Sequence, residues 1–155
     1  MPFLSDEMKL ELGVTRLFGD CDIGSSGLSS GWSIPEAAHV WNDGLESVFE
    51  VTTRRPRTEC LLTFEGEPLL GGNCTHQDVV LYVNGFRVAF WRLTEAKTHI
   101  LSAVIEPEQF FDRGDRTLAK CTWHLPLSRR PVDLGLGADT RELGFCFRSF
   151  TIAER

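Results

Sequence analysis

Four side chains with the chemistry of a sugar site fall within ten residues of one another: Trp32, Glu36, His39 and Trp41. An indole ring offers a flat apolar surface to a sugar ring, and carboxylate and imidazole groups exchange hydrogen bonds with hydroxyls. The spacing therefore predicts a carbohydrate-binding loop. A structural interpretation stays open, in which the two Trp residues plug the core and Glu36 accepts hydrogen bonds from backbone amides of the loop.

A second group of candidate ligand-binding residues, Asp139 and Arg141, lies in a late Gly-rich segment. Arg pairs with carboxylates through two parallel hydrogen bonds. A pair between Glu36 and Arg141, or between Asp139 and a backbone amide, would tie this segment to the first loop. We therefore expect loops 31–44 and 131–144 to lie close together at one end or edge of the domain.

Catalytic and metal-binding motifs do not occur in the sequence. It contains no nucleophile elbow, phosphate loop or HExxH motif, and the four His residues lie far apart in the chain. The five Cys residues include no CxxC pair, so we predict no metal, no cofactor and no enzymatic activity. A carboxylate pair of Glu36 and Asp139, acting in glycoside hydrolysis, is the catalytic alternative.

Composition limits the class of protein. The 155 residues are 42% apolar and 25% charged, with a net charge of −6. These values predict one globular domain over residues 1–155, and the acidic balance argues against a nucleic-acid partner. No apolar run is long enough for a membrane span, and the first residues do not resemble a signal peptide. An odd number of Cys residues, three of them in apolar runs, predicts free thiols and a cytoplasmic location, unless the domain was cut from a larger exported chain.

The remaining pattern is typical of an all-β protein. Short apolar, β-branched and aromatic runs alternate with Gly, Pro, Asn and Asp, which predicts an antiparallel two-sheet β-sandwich, jelly-roll-like in form. Two helical turns are predicted, at 35–39 and 107–111. Short strands are expected at 9–13 and 16–18, and longer strands at 47–53, 59–64, 78–83, 86–93, 98–105, 117–124 and 144–152.

Two strands carry a more detailed prediction. Segment 47–53 alternates, with Phe49 and Val51 on one face, whereas segment 78–83 is almost continuously apolar and is expected to be covered on both faces. Asn84-Gly85 between apolar runs predicts a β-hairpin with a type I′ turn, because both residues tolerate positive φ angles.

Three motifs carry a resemblance to a known family. They are Gly31-Trp32-Ser33-Ile34-Pro35-Glu36 with the following His39–Gly44, then Val83-Asn84-Gly85, and finally Pro131–Gly135 with Asp139–Gly144. Over about residues 17–153 the chain resembles a little-characterised bacterial β-sandwich domain. That domain is appended to glycosyltransferases and to phosphoglycerol-transferase-like proteins in exopolysaccharide contexts. Asn42 stands where the family usually has Ser.

The resemblance and the Trp-rich loop together favour a non-catalytic, carbohydrate-associated binding module in bacterial polysaccharide synthesis or modification. Its expected partner is a glycan. The alternative is a protein-interaction or scaffolding domain that docks onto a glycosyltransferase or associates with itself as a homo-oligomer. A small hydrolase is the third hypothesis. An aromatic cleft would favour the first, a flat apolar patch the second, and close acidic side chains in a deep pocket the third.

Overall fold

Strands form wherever the sequence alternates apolar and polar residues, and they assemble into two β-sheets that pack face to face. The structure is a computed structural model that describes residues 7–155. The strands are β1 (Met8–Lys9), β2 (Arg16–Leu17), β3 (Leu28–Ser30), β4 (Val40–Trp41), β5 (Glu46–Thr53), β6 (Cys60–Pro68), β7 (Gln77–Val83), β8 (Phe86–Leu93), β9 (His99–Ile105), β10 (Phe111–Asp112), β11 (Thr117–His124) and β12 (Phe145–Glu154).

The larger sheet has the order β1-β5-β11-β7-β8, with β3 beside β5 and β10 beside β11. The smaller sheet has the order β2-β12-β6-β9, with β4 beside β12. Neighbouring strands are antiparallel except for the short β1, which runs parallel to β5. The predicted fold class, an all-β, jelly-roll-like two-sheet sandwich, is confirmed, and the parallel β1 is the one departure from the antiparallel expectation.

The core lies between the sheets and is rich in aromatic rings. Trp123 of β11 is fully buried, and its ring centroid lies 4.9 Å from that of Phe147 and 5.3 Å from that of Phe64. The predicted facing of β5 is confirmed, because Phe49 and Val51 are buried in this core. Burial of large aromatic side chains is the main force that holds the two sheets together.

The facing predicted for β7 is wrong. Val79, Leu81 and Val83 point into the core, but Val80 and Tyr82 are half-buried on the outer face. Nothing among residues 7–155 covers that face as a second layer would, since no helix or third sheet packs there. The apolar run therefore reflects one buried face and one open face that still carries apolar groups.

The Asn84-Gly85 hairpin is confirmed. Asn84 has φ 49° and Gly85 has φ 85°, as a type I′ turn requires. The Asn84 side chain donates to the carbonyl oxygens of Gln109 and Leu118, each at 2.8 Å, and accepts from the Lys120 amide at 3.0 Å. This side chain therefore fastens the hairpin to β11.

One of the two predicted helical turns is misplaced. A 3₁₀ turn does form at Pro107–Gln109, but segment 35–39 is not helical. Its carbonyl groups are used elsewhere, because those of Glu36 and Ala37 accept from the amides of Asp20 and Cys21. The second 3₁₀ turn is instead Pro131–Leu134.

The short strands β3, β4 and β10 were not predicted. They are two or three residues long and lie in segments where Gly, Ser or charged residues weaken the strand pattern. Their pairing with β5, β12 and β11 determines their conformation. No helix among residues 7–155 has the length and apolarity to cross a bilayer.

The five thiols are expected to differ sharply in reactivity. Cys21 is exposed, whereas Cys60, Cys74, Cys121 and Cys146 are buried. Burial raises the pKa of Cys60 to about 11 and that of Cys146 to about 12, so little reactive thiolate forms near neutral pH. A chromogenic disulfide reagent should react quickly with one thiol in the native protein and with five after denaturation without reductant. Fewer than five in the denatured protein would contradict the free-thiol prediction.

Candidate functional site

The two loops that contain the candidate binding residues, 31–44 and 131–144, lie against each other, as predicted. The amide of Glu142 donates to Oδ1 of Asp43 at 3.0 Å, and the amide of Gly44 donates to the carbonyl oxygen of Glu142 at 2.9 Å. Arg141 Nη1 donates to Ser33 Oγ at 2.6 Å. Loops 31–44 and 131–144 therefore form one hydrogen-bonded unit at an end of the sandwich.

Trp32 points into the core from the first loop. Its ring centroid lies 5.0 Å from that of Phe147 and 6.1 Å from that of Trp123, in edge-to-face contact with both rings. Its indole Nε1 donates to the carbonyl oxygen of Val48 at 2.7 Å. The ring and the N–H group of Trp32 are thus engaged within the protein.

Gly31 explains how Trp32 can enter the core. It has φ 79°, in the left-handed region, and it packs so tightly that a Cβ atom would overlap the carbonyl oxygen of Glu46. Ser47 Oγ also donates to the Gly31 carbonyl oxygen at 2.6 Å. Only Gly combines this backbone angle with this close approach.

Asn42 is the central hydrogen-bonding residue between the loops. It is fully buried. Its Oδ1 accepts from the amides of Gly144 at 2.8 Å and Phe145 at 2.9 Å, and its Nδ2 donates to Gly44 O at 2.9 Å and Ser128 Oγ at 3.0 Å. Buried polar groups need such partners, and one side chain here satisfies groups from three segments.

The charged candidates pair locally rather than across the loops. Glu36 Oε2 lies 3.0 Å from His39 Nε2, and the Arg141 guanidinium donates to both carboxylate oxygens of Asp139. The Arg141 side chain, followed by its backbone amide, lowers the pKa of Asp139 to about 2. The predicted Glu36–Arg141 hydrogen bond is replaced by these pairs. Asp139 does accept from a backbone amide at 3.0 Å, but this amide belongs to Arg141 of the same loop, so it does not tie the two loops together as predicted.

The side chain of Trp41 points away from the core, opposite to that of Trp32. Val40 and Trp41 pair with Phe147 and Cys146 of β12, and Val40 is fully buried. Because side chains alternate along a strand, Trp41 lies on the outer face of the smaller sheet, where it is half-buried. Both Trp residues of the predicted binding loop are half-buried, and Trp41 is the one whose ring lies on the outer face instead of against the core.

A separate groove crosses the open outer face of the larger sheet. Its volume is about 880 Å³. Two aromatic side chains line it, Tyr82 from β7 and Phe111 from β10, and Phe111 is 59% exposed. Aromatic surface open to solvent beside polar groups is what a sugar ring requires.

The polar lining of the groove comes from β5 and β11. Glu50 is paired in register with Lys120, and Glu46 with His124. Together with Arg113, the lining contains two carboxylates and two cationic side chains. Arg113 is also paired with Glu7 at 2.6 Å, so the groove has no excess of positive charge and favours an uncharged polyhydroxyl ligand over a polyanion.

This groove was not predicted from the sequence, although part of the pattern that indicates it is present there. Glu50 lies between the core residues Phe49 and Val51 of β5, and Lys120 and Thr122 alternate with apolar residues along β11, which indicates a partly polar outer face on each strand. Which strands are neighbours is a long-range property. Only the pairing of β11 with both β5 and β7 brings these residues beside Tyr82.

The carboxylates of the catalytic alternative, Glu36 and Asp139, each have a partner of their own. Glu36 is hydrogen-bonded to His39, and Asp139 is paired with Arg141. In the groove, Glu46 and Glu50 are four residues apart on one strand, so their Cα atoms are separated by about 13 Å. Among residues 7–155, no three His, Cys, Asp or Glu side chains converge as a metal site needs.

No family model matches the chain, and no curated protein matches it. Solved structures do show similarity. One is the CBM36-1 domain of a multidomain xylanase from the hindgut metagenome of Trinervitermes trinervoides, at 11% identity and TM-score 0.47, covering 92% of this chain and 97% of that one. Another is a family 35 carbohydrate binding module from an environmental isolate, at 9% identity and TM-score 0.46, covering 90% of this chain and 93% of that one. At these identities no ligand-binding residue can be transferred.

Proposed function

We propose that this domain is a non-catalytic carbohydrate-binding module that holds a glycan in the groove on the open face of its larger sheet. The observation that carries the proposal is the placement of Tyr82 and Phe111 in one groove with Glu46, Glu50 and Lys120. The aromatic rings supply apolar surface for the C–H face of a sugar, and the charged side chains supply strong hydrogen bonds to hydroxyl groups.

The cellular role follows from the sequence motifs rather than from the groove. The resemblance to domains appended to glycosyltransferases supports a role in bacterial polysaccharide synthesis or modification, with a growing or finished glycan as ligand. The lack of excess positive charge in the groove supports a neutral segment of such a polymer.

The test is affinity electrophoresis through gels that contain a neutral glucan, a mannan, a xylan or a bacterial exopolysaccharide, followed by calorimetry on the polymer that retards the protein. Tyr82→Ala and Phe111→Ala should each weaken binding at least about tenfold, equivalent to 1.4 kcal/mol. The matched control is Phe90→Ala. Phe90 is 46% exposed on the same sheet face but does not line the groove, so this variant should bind as the wild type does.

The same experiment decides between the groove and the loop. The loop site predicted from sequence contains Trp41, Glu36 and His39. Trp41→Ala removes its outward-facing ring and therefore tests this loop as the binding site. Lost binding in Trp41→Ala with unchanged binding in Tyr82→Ala would move the site to that loop. If none of the four polymers retards the wild-type protein, these glycans are excluded as ligands. That result would favour the protein-interaction alternative, which the exposed edge strand β9 of the smaller sheet supports.

A further inference from the structure

The edges of the two sheets are not equally protected against pairing with another chain. The strands β1, β2, β3, β4 and β10 are only two or three residues long. The long edge strand β8 carries Arg87 and Arg92, and its register with β7 shifts at a bulge. Short length, charge and bulges are the features by which natural proteins prevent edge-to-edge association.

The edge strand β9 has none of these features. It is seven residues long, contains no Lys, Arg, Asp, Glu or Pro, and pairs with β6 without a register shift. On its outer face Ile100 is 68% exposed and Val104 is 36% exposed. Within residues 7–155, β6 is the one strand that pairs with β9, so the backbone groups on its other side are free to pair.

The sequence of β9 is complementary to itself when two copies run antiparallel. With Ser102 on the two-fold axis, Ile100 lies opposite Val104 of the second copy, and Val104 lies opposite Ile100 of that copy. An isologous contact requires this kind of self-match. Ser102 is exposed on the same face, so two hydroxyl groups meet at the axis.

The charged residues that flank β9 lie outside this match. Lys97 precedes the strand and is paired with Glu95 at 3.2 Å, and Pro107–Gln109 after the strand forms a 3₁₀ turn. The self-match therefore rests on residues 99–105, which contain no Lys, Arg, Asp or Glu that would oppose the pairing.

We infer that β9 is the interface of a homodimer in which the smaller sheets of two copies join into one continuous antiparallel sheet. The occupant of the edge is a second copy of this chain, because the exposed apolar residues Ile100 and Val104 of this uncharged strand match each other across a two-fold axis. This inference does not depend on the glycan groove, which lies on the other sheet. The dimer leaves both grooves accessible, so it would bind a repeating polymer with two sites.

The test is the mass of the protein in solution, measured by light scattering after size-exclusion chromatography from about 1 µM to about 1 mM loading. The measured mass of the wild-type protein should rise with concentration toward twice the mass of one chain. Ser102→Lys and Ser102→Glu should each remain monomeric, because each places like charges opposite one another at the axis. A mixture of the two variants should recover the dimer.

The matched control is Thr151→Lys. Thr151 lies on the outer face of the same sheet, on β12, and its hydroxyl bonds to Thr15 as that of Ser102 bonds to Thr63. Both substitutions therefore remove one hydroxyl contact and add one Lys, but only Ser102 lies on the edge. Thr151→Lys should dimerise as the wild type does.

Hydrogen exchange provides a second readout that needs no substitution. Amide exchange in 99–105 should slow as the wild-type concentration rises, whereas exchange in 86–93 should not change. A wild type that stays monomeric up to about 1 mM, or a Ser102→Lys variant that dimerises like Thr151→Lys, would overturn the inference. Either result is independent of glycan binding, since neither Ser102 nor Thr151 lines the groove.

Discussion

Replacement of Trp32 by Ala is expected to lower the free energy of unfolding by about 3 kcal/mol, the lower end of the range found when buried aromatic residues are truncated, because Trp32 packs against the core but is itself half-buried. The side chain contacts Trp123 and Phe147, and its indole N–H is bonded to the Val48 carbonyl oxygen. Truncation leaves a cavity at the end of the core and an unsatisfied carbonyl group. Urea unfolding followed by circular dichroism measures the change through the transition midpoint.

Trp41→Ala is the control for this experiment, because it removes the same ring from the same loop. Trp41 is half-buried like Trp32, but it lies on the outer face of the smaller sheet instead of against the core, so we expect a loss of less than about 2 kcal/mol. A Trp32→Ala protein of wild-type stability that had lost glycan binding would show that Trp32 serves a ligand and not the core.

The second large effect is expected for Asn42→Ala, at about 3 kcal/mol or more. The substitution leaves the amides of Gly144 and Phe145 and the carbonyl oxygen of Gly44 without their partner. Each unsatisfied buried group costs about 1–3 kcal/mol. Thermal and urea unfolding should both show the loss, and groove binding should be unchanged at temperatures where the variant is folded.

Asn73→Ala is the matched control, since Asn73 is exposed in a turn and the same atoms are removed. Its effect should stay within about 0.5 kcal/mol. An Asn42→Ala variant that loses no more than Asn73→Ala would contradict the assignment of Asn42 as the residue that fastens the two loops.

Local sequence patterns were sufficient to predict the long strands and the Asn84-Gly85 turn. Alternation and β-branched runs predicted the seven long strands to within four residues at their ends, and β8 and β11 match the predicted bounds. The Asn84-Gly85 turn was predictable because its backbone angles are a property of those two residues. Complementary side chains also indicated that loops 31–44 and 131–144 would meet.

The tertiary structure alone decided what each of these residues does. Trp32 and Trp41 have the same chemistry in the same loop, but Gly31 and the pairing of β4 with β12 send one ring inward and the other outward. Val80 and Tyr82 appeared to be core residues because a strand pattern does not reveal whether a second layer covers its face.

The groove on the larger sheet and the exposed edge strand β9 are the clearest examples of features that depend on strand order. Glu50, Lys120 and Tyr82 belong to three strands that are far apart in the sequence, and only the order β5-β11-β7 makes them neighbours. Likewise, β9 is an edge because of its position in the sheet, and no local pattern records that position. Short-range patterns determine which residues form strands, whereas strand order depends on the burial of the whole core, which is a property of the complete chain.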